Sequence, residues 1–383
     1  MHYDFDRVTE RRETDSMKWR FYGDDVLPLW VADMDFVSAE PVIRALHGRV
    51  EHGIFGYTRP TPALRQAIQE RLRRLYQWEI KQEDIVFLPG LVVALNVVYH
   101  AFSGPGDGVL VQPPVYHHFL KDPVKHGWVI HDPPLVRKAD TYEIDFDTFE
   151  KSITPRTKVF LLCNPHNPVG RVFTRSELKR LAEICLRHHV LICSDEIHCD
   201  LLFPGYRHIP MATLGPEVND QTVTLMAPSK TFNLAGLHCG FAIIQNPKLR
   251  TRWESFAQGL IPSVNILGHV AALAAFREGQ EWFDQVLIYM KSNHDFLVQY
   301  LKEKIPPIRM TKMEGTYLAW LDCRDLGIPG SPFQFFLKEA KVALNDGTDF
   351  GKGGEGFVRL NFACPRKTLT EALDRMTSAV KKL

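Results

Sequence analysis

The chain has little of what several large protein classes depend on. Its seven cysteines are odd in number, form no Cys-x-x-Cys pair and follow no regular spacing, so they read as reduced core thiols rather than a disulfide framework. No apolar run is long enough to span a bilayer, since the longest, 91–102, is interrupted by Asn96 and His100. Residues 1–7 are polar and charged with no apolar core behind them, so the cytoplasm is the expected compartment and no membrane contact is expected. A net charge of +1 with scattered Lys and Arg offers no basic block to grip phosphodiester backbones, so nucleic acid is not an expected partner. Among 16 histidines, His117-His118 and His188-His189 are adjacent pairs rather than helical i, i+4 pairs, and no Cys/His cluster has ligand spacing, so no metal site is expected. There is no Gly-x-Ser-x-Gly elbow, internal repeat or low-complexity tract.

What is present is ordinary soluble composition, 45% hydrophobic and 24% charged, in 383 residues. That length exceeds one usual core, so two domains are expected. After a turn-rich arm reaching about residue 40, the spacing of Leu64, Ile68, Leu72 and Leu75 predicts a helix over 59–78. Strands are predicted over 84–88, 109–112, 128–130, 159–163, 190–193, 223–226 and 241–244, and helices over 91–102 and 176–188. The second of these helices opens on Thr174-Arg175-Ser176-Glu177, which has the form of a capping box. Short apolar strands alternating with helices imply an α/β fold with a mostly parallel sheet covered on both faces. A long helical stretch over 263–300 leads to an α+β unit with strands over 316–321 and 356–362 and helices over 331–342 and 369–380. The glycines at 351, 353, 354 and 356 mark a candidate lid.

Three motifs fall at carboxyl ends of predicted strands, where ligands of such sheets gather. Asn164-Pro165-His166-Asn167-Pro168-Val169-Gly170 follows 159–163, Ser194-Asp195-Glu196 follows 190–193, and Ala227-Pro228-Ser229-Lys230-Thr231 follows 223–226. A lysine for a Schiff base, an acid for a pyridinium nitrogen and a donor for a ring hydroxyl are what pyridoxal 5'-phosphate requires. Gly90, Leu91 and Val92 open a helix directly after a strand, so their amides form a natural phosphate cradle.

The order and wording of these segments resemble the fold-type I, aspartate-aminotransferase-like pyridoxal-phosphate enzymes, and within them the bacterial cystathionine β-lyases, or C–S lyases, of the MalY/PatB kind. The closer match is carried by Leu29-Trp30-Val31-Ala32-Asp33-Met34-Asp35-Phe36, Gly53-Ile54-Phe55-Gly56-Tyr57-Thr58, residues 229–236, and Phe357-Val358-Arg359-Leu360-Asn361-Phe362. The resemblance implies an arm at 1–45, a large cofactor-binding domain at 46–280 built on a mostly parallel seven-stranded sheet, and a small α+β domain at 281–383. It implies that Lys230 binds the cofactor and serves as base, Asp195 pairs with the ring nitrogen, Asn167 donates to the ring oxygen and Tyr116 stacks on the ring and steers protons. It further implies that Arg359 binds the substrate carboxylate, that Val31, Ala32 and Asp33 close over the substrate, and that Tyr57 reaches the phosphate in a neighbouring subunit of a homodimer with shared sites. The chain departs from many aminotransferases in carrying His198 three residues after Asp195, Ala227 three before Lys230 and His238 eight after it, so His198, Ser229 and His238 are only candidate cofactor contacts.

The implied activity is a pyridoxal-phosphate C–S β-lyase that eliminates a thiol from L-cystathionine, cysteine or an S-substituted cysteine, leaving pyruvate and ammonia. Two alternatives stand beside it: an aminotransferase using the same lysine and acid, and a regulator that binds a protein partner through the enzyme surface.

Overall fold

The computed structural model describes residues 2–383. Seven strands form the central sheet: β1 (Ile85–Leu88), β2 (Gly108–Leu110), β3 (Val129–His131), β4 (Thr157–Cys163), β5 (Leu191–Asp195), β6 (Thr222–Met226) and β7 (Gly240–Ile243). Their order is β1-β7-β6-β5-β4-β2-β3. The run from β6 to β3 is parallel, and β7 lies antiparallel to both its neighbours. The strands β4 to β6 are buried along nearly their whole length, as near-continuous apolar runs require when helices cover both faces.

Register decides where the chemistry lands. Cys163 pairs with Asp195 and Asp195 with Leu225, so β4, β5 and β6 end side by side and deliver the asparagine loop, the acid and the lysine segment to one edge. Because β7 runs antiparallel to both neighbours, β1 also ends there, with Leu88 opposite Gly240. The helix Leu91–Phe102 therefore starts at the same edge.

The C-terminal part carries an antiparallel sheet in the order Arg309–Met310, Leu318–Asp322, Phe357–Asn361, Asn345–Asp346. The arm joins this region: Leu27–Pro28 pairs in parallel with Val342–Ala343. One apolar core unites Leu29, Met34 and Phe36 of the arm with Trp282, Tyr317 and Phe362.

Several elements differ from the sequence reading for identifiable reasons. The helix at 59–78 is shorter, Pro62–Tyr76, with Thr61 capping it through Leu64 N–H. Leu75 is exposed although it shares the face of Leu64, Ile68 and Leu72, since it stands in the last turn of the helix, one residue before the end at Tyr76. The stretch 263–300 is two helices, Ile266–Glu278 and Gln280–Lys304, meeting at Gly279; a Cβ there would lie 2.6 Å from the Ala275 carbonyl oxygen. The helix at 331–342 ends early, in Pro332–Phe335 and a π-helical turn Phe336–Ala340, because Lys341 turns left-handed and Val342 enters the strand beside Leu27. The glycine-rich stretch after Phe350 carries one ion pair, Lys352 with Asp132, and a second, Lys121 with Asp349, lies just before it. The capping box forms as read, with Thr174 and Glu177 bonding each other's backbone amides. All seven cysteines are free and buried. Among the described residues no helix is long and apolar enough to cross a membrane.

Candidate active site

A cavity of about 160 Å³ opens at the shared edge of the central sheet, lined among others by Asn167, Asp195, His198, Lys230, Tyr116 and Ala32. That is room for on the order of ten waters. Gly90, Leu91, Val92, Ser229 and His238 also line it. The amides that begin the helix Leu91–Phe102 thus border the same space, and they favour an anion there through their unpaired N–H groups and the helix dipole. Thr174, Asn164 and the loop between them are tied down locally: Asn164 accepts from the Phe173 amide at 3.0 Å.

Lys230 stands on a short helical turn, Pro228–Thr231, rather than in an open loop. Its Nζ donates to the Ala32 carbonyl at 2.7 Å. Burial, with Arg359 adding, lowers the amine to about 8, while Asp33 and Asp195 oppose the shift. A large fraction of this lysine is therefore neutral near pH 8, which is the state a base needs.

Asp195 is 6% exposed, and among the described residues its carboxylate accepts one hydrogen bond, from the Ile197 amide at 3.1 Å. Burial pushes its carboxyl up to about 7, Glu196 adding and Lys230 opposing. A buried carboxylate that lines a cavity suits a cationic N–H partner. His198 is 3% exposed, its Nδ1 has no partner, and burial with Lys230 and Arg359 holds it down to about 3, so the ring is neutral.

Arg359 is 4% exposed. Among the described residues it has no carboxylate partner; its guanidinium meets the Asn167 side-chain oxygen at 2.9 Å, the Trp30 carbonyl at 2.9 Å, Asn345 Oδ1, and the Phe350 ring. Its Nε has no partner. Burial lowers it to about 10, so it stays charged at neutral pH. A buried, uncompensated guanidinium is costly until an anion arrives, and its planar fork suits a carboxylate. Tyr116 keeps a neutral phenol, burial pushing it up to about 12.

The arm is held by its backbone. Five consecutive carbonyls, Trp30 to Met34, accept from side chains: Arg359 on Trp30, Asn361 on Val31 and Asp33, Lys230 and Tyr317 on Ala32, and Asn233 on Met34. Asn233 also takes the Phe36 carbonyl. Of the arm residues expected at the substrate, Ala32 lines the cavity, whereas Val31 and Asp33 do not. Asp33 is instead paired with Arg11 and Lys18, as is Asp35. Against the burial that would raise it, Lys18 and Arg11 hold the Asp33 carboxyl below its usual range. Tyr57 is fully exposed and lies away from the cavity of its own chain.

Sequence reasoning assigned no role to Tyr317, Asn345 or Asn361. Asn361 had a signal, because it lies two residues beyond Arg359 on the same strand and so on the same face. Tyr317 and Asn345 had none, since only the packing of the second sheet against the arm brings Tyr317 near Ala32, and only the pairing of two strands within that sheet sets Asn345 opposite Arg359.

The donor set fits a pyridoxal phosphate: an unpaired buried acid, an amine, an amide side chain, an aromatic ring and a helix start converge on one cavity. Residues 25–376 match the family model for aminotransferase class I and II. The chain is 40% identical to cystathionine beta-lyase PatB of Bacillus subtilis (strain 168), covering 98% of this chain and 99% of the relative. The solved structure of cystalysin from Treponema denticola, which contains a pyridoxal 5'-phosphate cofactor, matches with a TM-score of 0.96 at 34% identity, covering 100% of both chains. The PLP-bound C-S lyase from Staphylococcus hominis matches with a TM-score of 0.94 at 33% identity, covering 99% of this chain and 98% of that one.

Proposed function

The chain belongs to the class I and II aminotransferase family, with a fold-type I α/β architecture, and from that premise we propose that it is a pyridoxal 5'-phosphate-dependent C–S β-lyase acting on L-cystathionine or a related S-substituted cysteine. The observation that carries the reading is the convergence of Lys230, Asp195, Asn167 and Tyr116 on one cavity, with an Arg359 that lacks any carboxylate partner directly behind it. The cofactor, when bound, supplies an electron sink that stabilises negative charge at the substrate Cα.

The chain's own residues divide the remaining work. Arg359 binds the substrate α-carboxylate and so orients the Cα–H toward Lys230. Lys230, neutral in an appreciable fraction near pH 8, takes that proton at Nζ and holds it close to the departing sulfur. Asp195 would hold the cofactor through its ring nitrogen, Asn167 would hold it through an amide N–H, Tyr116 would pack against it, and the amides of Leu91 and Val92, with Ser229 and His238, would hold its phosphate. Breaking the Cβ–S bond releases a thiolate, which becomes the thiol by taking the proton held at Lys230, and water hydrolyses the three-carbon remainder to pyruvate and ammonia.

Preference for elimination over amino transfer is supported by relatives named as cystathionine beta-lyases and C-S lyases along the full length of the chain. Incubation with L-cystathionine and no keto acid distinguishes the two: continuous formation of homocysteine and pyruvate is expected, and a single half-turnover would refute the lyase reading. We assign Tyr57 to the site of a second copy of the chain, because Ile54, Phe55 and Tyr57 form an exposed apolar run on its own surface. Seven buried free thiols support a reducing, cytoplasmic setting.

A further inference from the structure

The Ala32 carbonyl oxygen accepts two hydrogen bonds, from Lys230 Nζ at 2.7 Å and from Tyr317 Oη at 3.0 Å. We infer that Tyr317 is a positioning residue for the Lys230 amine, acting through this shared oxygen, which is where the amine rests whenever it is free. The inference rests on Lys230 being the proton-transferring base of the proposed reaction.

A carbonyl oxygen has two lone pairs, and here each is engaged by a different donor. With one N–H committed to Ala32, the amine has fewer orientations open to it. Once Lys230 has taken a proton, the same bond becomes charge-assisted and stronger. The oxygen itself cannot drift. Asn361 Nδ2 grips the carbonyls on either side of it, those of Val31 at 2.6 Å and Asp33 at 2.7 Å.

Tyr317 is equally fixed. It is 1% exposed, its carbonyl accepts from the Phe362 amide, and the preceding Thr316 amide donates to the Leu201 carbonyl. Its ring meets the His198 ring edge-on with centroids 6.1 Å apart. Among the described residues the hydroxyl has a single partner, Ala32, so a tyrosine rather than a phenylalanine at this position is explained by that bond. Two donors on one oxygen compete, and loss of the hydroxyl leaves the ammonium form of Lys230 as sole donor and better bound. Asp195, Asp33, Arg359, His198 and Tyr116, the other titratable groups around the amine, are untouched by the change.

The test is Tyr317→Phe, which removes one oxygen and keeps the ring. In cofactor-free protein, trace acetylation by acetic anhydride across a pH series, read by peptide mass spectrometry, gives the titration midpoint of Lys230. The midpoint should rise by roughly half a unit in the variant, with other lysines unmoved. In the loaded enzyme kcat should fall roughly three- to tenfold with little change in KM, and the acidic limb of its pH profile should move up. An unmoved Lys230 midpoint overturns the inference, and so does a fall in kcat accompanied only by a lower unfolding temperature, which would mark Tyr317 as packing alone. A wild-type enzyme that performs no elimination refutes the lyase reading, and the acetylation midpoint still decides this one.

Discussion

Replacing Asp195 with asparagine should have opposite effects on the empty and the loaded protein. In the cofactor-free chain, burial raises the carboxyl from 3.8 to about 7. Between those values the unfolded chain has released its proton while the folded chain retains it, so stability falls as pH rises through that interval. The shift is worth about 4 kcal/mol in full, with somewhat over half of it accruing between about pH 5 and about pH 8. Asparagine keeps an oxygen for the Ile197 amide, the one hydrogen bond the Asp195 carboxylate accepts among the described residues, and carries no charge to desolvate. Urea unfolding of both cofactor-free proteins at those two pH values isolates the residue, because every other titration is common to them. The midpoint of the variant should exceed that of wild type by a margin that widens toward the higher pH. With pyridoxal phosphate added the order should reverse, since only the carboxylate can hold a proton on the ring nitrogen. Parallel midpoints across pH would refute the claim that this carboxyl is desolvated and unpaired.

Two further outcomes follow from the geometry. Arg359→Lys removes the fork and strands the Asn167 and Asn345 oxygens that now accept from it; kcat/KM for an amino-acid substrate should fall on the order of ten- to a hundredfold, checked by steady-state kinetics. If Tyr57 completes a partner's site, then Lys230→Ala and Tyr57→Ala proteins, each impaired alone, should regain part of wild-type activity when unfolded together and refolded as a mixture, and no regain would place Tyr57 outside any shared site.

Much of the site was legible because it lies at strand ends. Asp195 and Lys230 follow short apolar runs that read as buried parallel strands, and the register of β4, β5 and β6 then aligns their ends. The helix Leu91–Phe102 was readable because its apolar residues are interrupted only by Asn96 and His100 and Pro89-Gly90 precedes them. What stayed hidden depends on contacts distant in sequence. Asp33 looks like a substrate residue in a motif, but Arg11 and Lys18, folded back from the start of the arm, claim it. Helical spacing over 331–342 was overridden at Val342 by pairing with Leu27, since a backbone ladder outweighs local propensity. The double use of the Ala32 carbonyl has no trace in residue identity, because the acceptor is main chain.

That the arm is gripped by its peptide oxygens has an evolutionary corollary. The fastening does not read which side chains are threaded through it, so position 32, the arm residue that lines the cavity, can be exchanged without undoing the clasp. Selection is thereby free to reshape the wall facing an incoming thioether while the frame that aligns the amine and the guanidinium stays in place.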